Sequence, residues 1–187
     1  MNFLKMLVIG ILLEFSNFAL AGDLSVEIDP STFAFSGYSA HVKYHFAESW
    51  ELGLGTYAMT FPNALGSLAI SPNSSATTLK ITSAYGVFLD RYLFQKSEGL
   101  FVGFQLATHN YQLSDSGTPG TNTTYTATLF MPRLGYKYQF TNSGLYILPW
   151  VGAGYVAPSN SNPSVGSQNY KVNSVLSFAT LHLGYSF

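Results

Sequence analysis

Apolar and polar side chains alternate at every second residue along most of this chain, and this pattern constrains its fold more than any other feature. Successive side chains of a β-strand point to opposite faces of a sheet, so the pattern indicates strands with one apolar and one polar face. None of the alternating segments has a convincing 3.6-residue period. The segments are residues 24–29, 38–46, 50–57, 78–89, 100–109, 130–140, 147–155 and 180–187.

The connections between these segments alternate in length. Residues 47–49 and 141–143 form short links, and 90–98 is intermediate. The connections at 62–75, 114–123 and 158–168 are longer and rich in Ser, Asn, Gly, Pro and Thr, whereas 30–36 is brief. This alternation predicts an antiparallel meander with tight turns at one rim and loops at the other. Nothing in the pattern indicates a second domain.

Composition excludes several classes of protein. Only 9% of the 187 residues are charged, against roughly 25% in ordinary soluble domains. The 16% of aromatic residues is too high for intrinsic disorder. The absence of cysteine excludes a disulfide framework and a thiol nucleophile. The Lys and Arg residues are scattered, so we expect no nucleic-acid partner.

The first 21 residues have the pattern of a signal peptide. Lys5 precedes the apolar run Met6–Leu13, and Ala19-Leu20-Ala21 matches a cleavage site. Eight apolar residues are too few to span about 30 Å of hydrocarbon, which needs about 20. We therefore expect cleavage after Ala21 and a mature domain of residues 22–187 beyond the inner membrane. A short N-terminal helix that is retained is the alternative.

Charged residues and glycines share the polar face of the alternating segments. A soluble sandwich, the alternative fold, would separate them, whereas a narrow barrel needs small residues on its concave side. Arg or Lys facing lipid costs roughly 2–4 kcal/mol at the bilayer midplane, and a sheet in lipid must close on itself. We therefore predict an all-β fold, an eight-stranded antiparallel up-and-down transmembrane β-barrel. An even strand number requires residues 24–29 to be the first strand. The glycines on the polar face are Gly53, Gly55, Gly86, Gly103, Gly135, Gly152, Gly154 and Gly184.

Aromatic residues gather on the apolar face near the short turns. Amphipathic rings prefer the headgroup level of a membrane, so the pattern predicts an aromatic girdle at this rim. Its predicted members are Tyr44, Phe46, Trp50, Tyr138 and Phe140, together with Tyr185 and Phe187 of the last segment.

With its signal peptide, strand rhythm and ending Leu181-His182-Leu183-Gly184-Tyr185-Ser186-Phe187, the chain resembles the OmpA/OmpX-like class of small bacterial outer-membrane barrels. The alternating Leu181, Leu183, Tyr185 and Phe187 resemble the assembly signal of that class. The resemblance implies residence in the outer membrane of a Gram-negative bacterium. It also implies contact with outer-membrane lipid and lipopolysaccharide, and recognition by the barrel-assembly machinery.

Ten polar residues are predicted to face the interior. The simplest interpretation is a network of ion pairs and hydrogen bonds that fills a narrow barrel. The alternative is a narrow pore for small solutes or ions, in which the excess of basic residues would weakly favour anions. A β-bulge could change which face a residue near the loops occupies. The residues are Glu27, His41, Lys43, His45, Glu51, Lys80, His109, Arg133, Lys137 and His182.

Neither a metal site nor a catalytic site is predicted. His41 and His45 share a face but lie about 13 Å apart at roughly 3.3 Å per residue, too far to share an ion. His109 or His182 could join them only across the interior. The segment 37–41 lacks the last glycine of a G-x-S-x-G elbow. Lipid A deacylases have a His-x-Ser pair near the C-terminus, whereas His182 is followed by Leu-Gly.

These observations predict a monomeric outer-membrane protein of structural or interaction type, without a cofactor. A lipid-modifying outer-membrane enzyme is a further alternative, and whether the protein is an enzyme stays open at this point.

Overall fold

The computed structural model describes residues 24–94, 97–117 and 120–187. The predicted signal peptide, residues 1–21, lies outside the described residues. Within the described ranges, no helix has the length and apolarity needed to cross a membrane. The elements in chain order are β1 (Leu24–Ile28), α1 (Pro30–Ala34), β2 (Tyr38–Ala47), β3 (Trp50–Thr60), α2 (Asn63–Ala69), β4 (Ile70–Ser71), β5 (Thr77–Tyr92), β6 (Gly99–Asp115), β7 (Asn122–Gln139), β8 (Leu145–Pro158), β9 (Ser164–Val165), β10 (Gln168–Asn169), β11 (Lys171–Val172) and β12 (Val175–Ser186).

Eight of the strands form one antiparallel sheet that closes on itself. Their order around the ring is β1, β12, β8, β7, β6, β5, β3 and β2. The short strand β1 completes the closure, since Glu27 pairs with His41 of β2 on one side and with Gly184 of β12 on the other. The predicted all-β fold with eight antiparallel strands is confirmed. It includes the first strand, which the prediction of an even strand number required.

A register shift in β5 overturns one prediction about side-chain direction. The sequence placed Leu79 and Ile81 on the same outer face as Tyr85. The pairing of β5 with β6 shifts between Ile81 and Ser83, and such an irregularity reverses the faces beyond it. Leu79 and Ile81 are therefore buried in the interior. The prediction that Lys80 faces the interior is wrong, because its side chain is exposed on the outer surface.

Strands β6 and β7 extend further toward the long connections than the alternation predicted. On the outer face, Leu106 pairs with Phe130, but the next outward pair is Thr108 with Thr128. Beyond this boundary the outer residues are polar and the inner residues, such as Tyr111 and Leu113, are apolar and buried in the core. The alternation therefore continues with its phase inverted.

Two short helices occur in connections that were predicted to be loops. Asp29 caps α1 by accepting hydrogen bonds from the backbone N–H and the hydroxyl of Ser31, at 2.8 and 2.6 Å. Helix α2 contacts both β5 and β12, which lie on opposite sides of the ring. The two-residue strand β4, directly after α2, pairs with β11. These segments cover the end of the ring that carries the long connections.

Large apolar side chains are exposed on the outer face of all eight ring strands. We call them the apolar belt. Its members are Ile28, Tyr38, Val42, Tyr44, Phe46, Leu52, Leu54, Tyr85, Val87, Val102, Phe104, Leu106, Phe130, Leu134, Tyr136, Tyr138, Leu145, Val151, Tyr155, Val175, Leu181, Leu183 and Tyr185.

Candidate functional site

Most of the predicted inward-facing residues meet inside the ring. Lys80 lies outside, as described above, and His45 is half-buried next to a register shift in β2. The other eight are each at most 4% exposed. These eight are Glu27, His41, Lys43, Glu51, His109, Arg133, Lys137 and His182.

Lys43 is the hub of the charged residues. Its Nζ lies 3.0 Å from Glu27 Oε1, 3.0 Å from Glu51 Oε1 and 3.3 Å from Asp90 Oδ2. The three carboxylates come from β1, β3 and β5, while Lys43 itself is on β2. One ammonium group therefore joins four neighbouring strands.

Arg133 of β7 reaches over Gly103 of the intervening strand β6 to Asp90 of β5. Its Nε donates to Oδ1 at 2.9 Å, and its Nη2 donates to Oδ2. The guanidinium also lies over the rings of Phe88, Phe101 and Trp150, at 4.8, 5.3 and 5.2 Å from their centroids. Bidentate pairing and ring contacts together fix its orientation.

Asp90 is a central residue that the sequence analysis missed. It was assigned to the connection 90–98, but β5 continues to Tyr92. Extending the alternation of Gly86 and Phe88 by one more step would have placed Asp90 on the inner face.

Lys137 of β7 makes a contact across the interior. Its Nζ lies 3.3 Å from Glu51 Oε2 and 4.2 Å from the centroid of the Tyr146 ring. Tyr146 donates to Glu27 Oε1 at 2.9 Å, and Tyr92 donates to Glu51 Oε1 at 3.3 Å. We call Glu27, Lys43, Glu51, Asp90, Arg133 and Lys137 the ionic cluster.

The ionic cluster holds its members in place. Each of the three cations contacts at least one carboxylate, and each carboxylate accepts from a cation. Buried charges tolerate loss of water only when they are paired in this way. The arrangement is typical of a filled interior in which charged side chains connect opposite walls.

A histidine pair borders the ionic cluster on the side of the long connections. His182 Nδ1 lies 2.9 Å from Glu27 Oε2, and Trp150 Nε1 donates to His182 Nε2 at 3.1 Å. Since an indole nitrogen only donates, the His182 proton is on Nδ1. The ring of His41 stacks on His182 with centroids 4.9 Å apart. The buried Nδ1 of His41 has no hydrogen-bond partner.

A second hydrogen-bonded layer lies nearer the long connections. Tyr57 OH is 2.6 Å from His109 Nε2 and accepts from Gln105 Nε2 at 2.9 Å. His109 Nδ1 is 2.8 Å from Tyr111 OH, and the Tyr111 ring stacks on Tyr125 at 4.9 Å. Both nitrogens of His109 are therefore engaged, whereas Nδ1 of His41 has no partner among the described residues.

Between the histidine pair and this second layer lies an interior cavity of about 50 Å³. Asp29, His41 and His182 border it, as do apolar residues such as Met131 and Leu176. A volume of this size holds a few water molecules or an ion with its water.

A further polar contact ties the loop after β10 to the end of β6, on the side of the long connections. Tyr170 OH donates to Asp115 Oδ2 at 2.6 Å. This hydrogen bond and one from the Gly117 N–H hold the pKa of the Asp115 carboxyl below its usual range. Burial and the hydrogen bond to Asp115 raise the pKa of Tyr170.

The residues predicted for the aromatic girdle lie at the rim of the short turns. Tyr44, Phe46, Tyr138 and Phe140 are exposed on the outer surface. Trp50 is half-buried, and the Arg91 guanidinium carbon lies 5.5 Å from its ring centroid. Of the predicted assembly residues, Leu181, Leu183 and Tyr185 are exposed and Phe187 is half-buried, with its ring 5.2 Å from Tyr185.

No protein-family model, curated protein or solved structure matches the chain. The resemblance to OmpA/OmpX-like barrels stays a prediction.

Proposed function

We propose that this chain is an outer-membrane β-barrel of structural or interaction type, whose interior is filled by the ionic cluster. The observation that carries the proposal is the inverted distribution of polarity. Large apolar side chains cover the outside of the closed ring, while Glu27, Lys43, Glu51, Asp90, Arg133 and Lys137 are buried inside it. A ring with this distribution suits an apolar environment, because each of the eight ring strands pairs with a neighbour on both sides.

The height of the apolar belt also supports a membrane environment. The outer apolar residues run from Phe130 of β7 to Phe140, directly after the end of this strand. These ten residue steps span about 33 Å at 3.3 Å per residue. With the tilt of about 35–45° that is usual in such barrels, this becomes about 25 Å of height, the value for an outer-membrane apolar band.

Charged residues on the outer face lie only at the ends of the belt. Among the described residues of the ring strands, Lys80 and Arg91 are the exposed charged side chains. Both are on β5, Lys80 near its start and Arg91 beside its end at Tyr92. Between them the exposed large side chains include Tyr85 and Val87. Soluble monomers rarely expose a contiguous apolar patch beyond about 300–600 Å², and an apolar belt on all eight strands is far more extensive.

The ionic cluster favours a closed interior over the alternative of a narrow pore. Arg133 and Lys137 on β7 contact carboxylates on β5 and β3, so the charged side chains bridge the interior rather than lining an open path. The rings of Phe88, Phe101 and Tyr146 pack against the two cations.

Membrane residence is tested by cell fractionation and by gel migration before and after boiling. We expect the protein in the outer-membrane fraction, and we expect the unheated form in detergent to migrate differently from the boiled form. A processed chain that stays monodisperse in buffer without detergent would contradict the proposal.

The filled interior is tested by recording current across planar bilayers that contain the purified protein. We expect no discrete conductance steps. Steps whose ion preference changes in Arg133→Gln, and not in the matched outer-surface variant Lys80→Gln, would establish the pore instead.

A further inference from the structure

We propose that Glu27, His41 and His182 form a binding site for a divalent transition-metal ion such as Zn²⁺. The three residues are on the adjacent strands β1, β2 and β12. His41 pairs directly with Glu27, and His182 lies two residues from Gly184, the partner of Glu27 on the other side. One nitrogen of each imidazole and one carboxylate oxygen all lie within 4.8 Å of one another.

The chemistry of the three donors matches that of zinc sites. Zn²⁺ takes imidazole nitrogen and carboxylate oxygen at about 2.0–2.2 Å, and three protein ligands with a water are a common set. Neighbouring ligand atoms of such a site are about 3.4 Å apart by tetrahedral geometry. The widest separation, up to 4.8 Å, must therefore shorten by up to about 1.4 Å to reach this tetrahedral value. The 2.9 Å between His182 Nδ1 and Glu27 Oε2 must widen slightly, and one of the two stacked rings must turn.

An unpartnered nitrogen points to a missing ligand. His41 is 4% exposed, and its buried Nδ1 makes no hydrogen bond. A buried polar atom without a partner is costly and rare. Coordination of a metal ion by Nδ1 would supply the partner that this atom lacks among the described residues.

The cavity supplies the space that this rearrangement needs. His41 and His182 both border the cavity of about 50 Å³, so either ring can turn into it and a water can complete the coordination. Asp29 also borders this space, with its Oδ2 4.0 Å from His182 Nε2.

The buried charges favour an added cation. Among the described residues, the buried carboxylates Glu27, Asp29, Glu51 and Asp90 outnumber the buried cations Lys43, Arg133 and Lys137 by one. Buried charges are stable when they are paired or coordinate a metal.

Coordination predicts a specific change at Trp150. Glu27 Oε1 is held by Lys43 and Tyr146, which leaves Oε2 and His182 Nδ1 for the ion. When Nδ1 binds the metal, its proton moves to Nε2 of the same ring. Nε2 then no longer accepts, so the hydrogen bond from Trp150 Nε1, now 3.1 Å, is lost.

The binding test is calorimetric titration of Zn²⁺ into the full chain, purified in detergent and freed of metal with EDTA. We expect one ion per chain and at least a tenfold weaker affinity in His41→Gln and His182→Gln. His45→Gln is the matched control, because His45 is on the same strand as His41 but outside the trio. Absence of binding to the unmodified chain, or an equal loss in His45→Gln, would overturn the proposal.

Two measurements do not depend on how the histidine variants fold. X-ray absorption of the zinc-loaded unmodified chain should give two imidazole nitrogens and oxygen ligands, and a spectrum without imidazole would overturn the proposal. The chain has two tryptophans, so Trp50→Phe isolates Trp150. Its fluorescence should change on addition of Zn²⁺, and saturable binding without this change would place the ion elsewhere.

Discussion

At the scale of single residues, the interior is dominated by charges whose partners come from other strands. The Asp90 carboxylate, for example, forms an ion pair with Lys43 and accepts hydrogen bonds from two donor groups of Arg133. Removing one member of such a group leaves the remaining charge buried and unpaired, which costs more than the intact pair contributes. The cost is expected to be largest for Arg133, because its side chain is fully buried and Asp90 is its ion-pair partner.

Asp90→Asn should therefore be strongly destabilising. The amide keeps the shape of the side chain but leaves the Arg133 charge without a counter-ion, so we expect a loss of about 3–5 kcal/mol in the free energy of unfolding. Urea unfolding of the purified protein in detergent measures it. Lys80→Gln removes a charge on the outer surface and should change the value by less than about 0.5 kcal/mol. Equal effects of the two variants would contradict the burial argument.

Gly184→Ala should also destabilise, for a steric reason. A Cβ at this position would overlap the ring of Tyr146, and Tyr146 is held by its hydrogen bond to Glu27. We expect a cost of about 1–3 kcal/mol from the extra methyl group, measured by the same urea unfolding. Gly117→Ala is the control, since Asp115 Oδ1, at 3.1 Å, is the only atom of the described residues near a Cβ there. A neutral Gly184→Ala would mean that the tyrosine ring can move aside.

At the scale of elements, the segments β9–β10 and β11 are attached to the end of the ring by apolar and polar contacts. Val165, Tyr170 and Val172 are buried in the core, Tyr170 also donates to Asp115 of β6, and β11 pairs with β4. The hydrogen bond between Tyr170 and Asp115 depends on the ionisation of both groups, so this part of the attachment should respond to pH while the ring stays closed.

The hydrogen bond between Tyr170 and Asp115 should be strongest at intermediate pH. The lowered pKa of Asp115 means that its contribution is complete above the unfolded value of about 3.9 and is lost as pH falls through the folded value. The raised pKa of Tyr170 means that its contribution is complete below about 10 and is lost as pH rises through the folded value.

Hydrogen exchange of residues 164–172 checks this dependence. Protection factors should be highest between these limits, and Asp115→Asn should lower them at neutral pH. In Asp115→Asn, the decrease of the protection factors at acid pH should disappear. An acid-side decrease that persists in Asp115→Asn would assign it to another group.

At the scale of the whole molecule, the proposed surrounding determines which surface substitutions are tolerated. In water, a charged residue in place of exposed leucine costs little. In a bilayer, Arg costs roughly 2–4 kcal/mol at the midplane and about 0–1 near the interface. The same substitution at two heights of the outer face therefore distinguishes the two surroundings.

Leu134→Arg should destabilise the protein in phospholipid vesicles by about 2–4 kcal/mol relative to the unmodified chain. Leu134 is exposed within the apolar belt, 46% by accessible surface. Thr108→Arg is the matched control, because Thr108 is exposed just beyond the boundary where Leu106 pairs with Phe130, and we expect a cost of at most about 1 kcal/mol. Urea unfolding in vesicles measures both. Equal costs would be inconsistent with a membrane around the belt.

Sequence alone was enough to predict the strands, their number and which face of most of them is apolar. These are local properties: a period of two is visible within one segment, and the composition of a connection indicates its length. Local reasoning was wrong for Lys80 because a register shift is a property of two paired strands. It missed the extensions of β6 and β7, where the apolar residues change to the inner face, and the short helices α1 and α2, where no apolar alternation marks the element.

Which polar groups meet depends on the tertiary structure. Asp90 and Arg133 are 43 positions apart in the chain, and Glu27 and His182 are 155 apart. Such pairs form because closing the sheet places β1 between β2 and β12, and because the register sets Asp90 of β5 and Arg133 of β7 on either side of Gly103 of β6. Alternation specifies that a side chain points inward, but its partner depends on the register of every strand around the ring. For this reason the ionic cluster could be anticipated as a set, whereas Asp90 as the partner of Arg133, and the trio of Glu27, His41 and His182, could not.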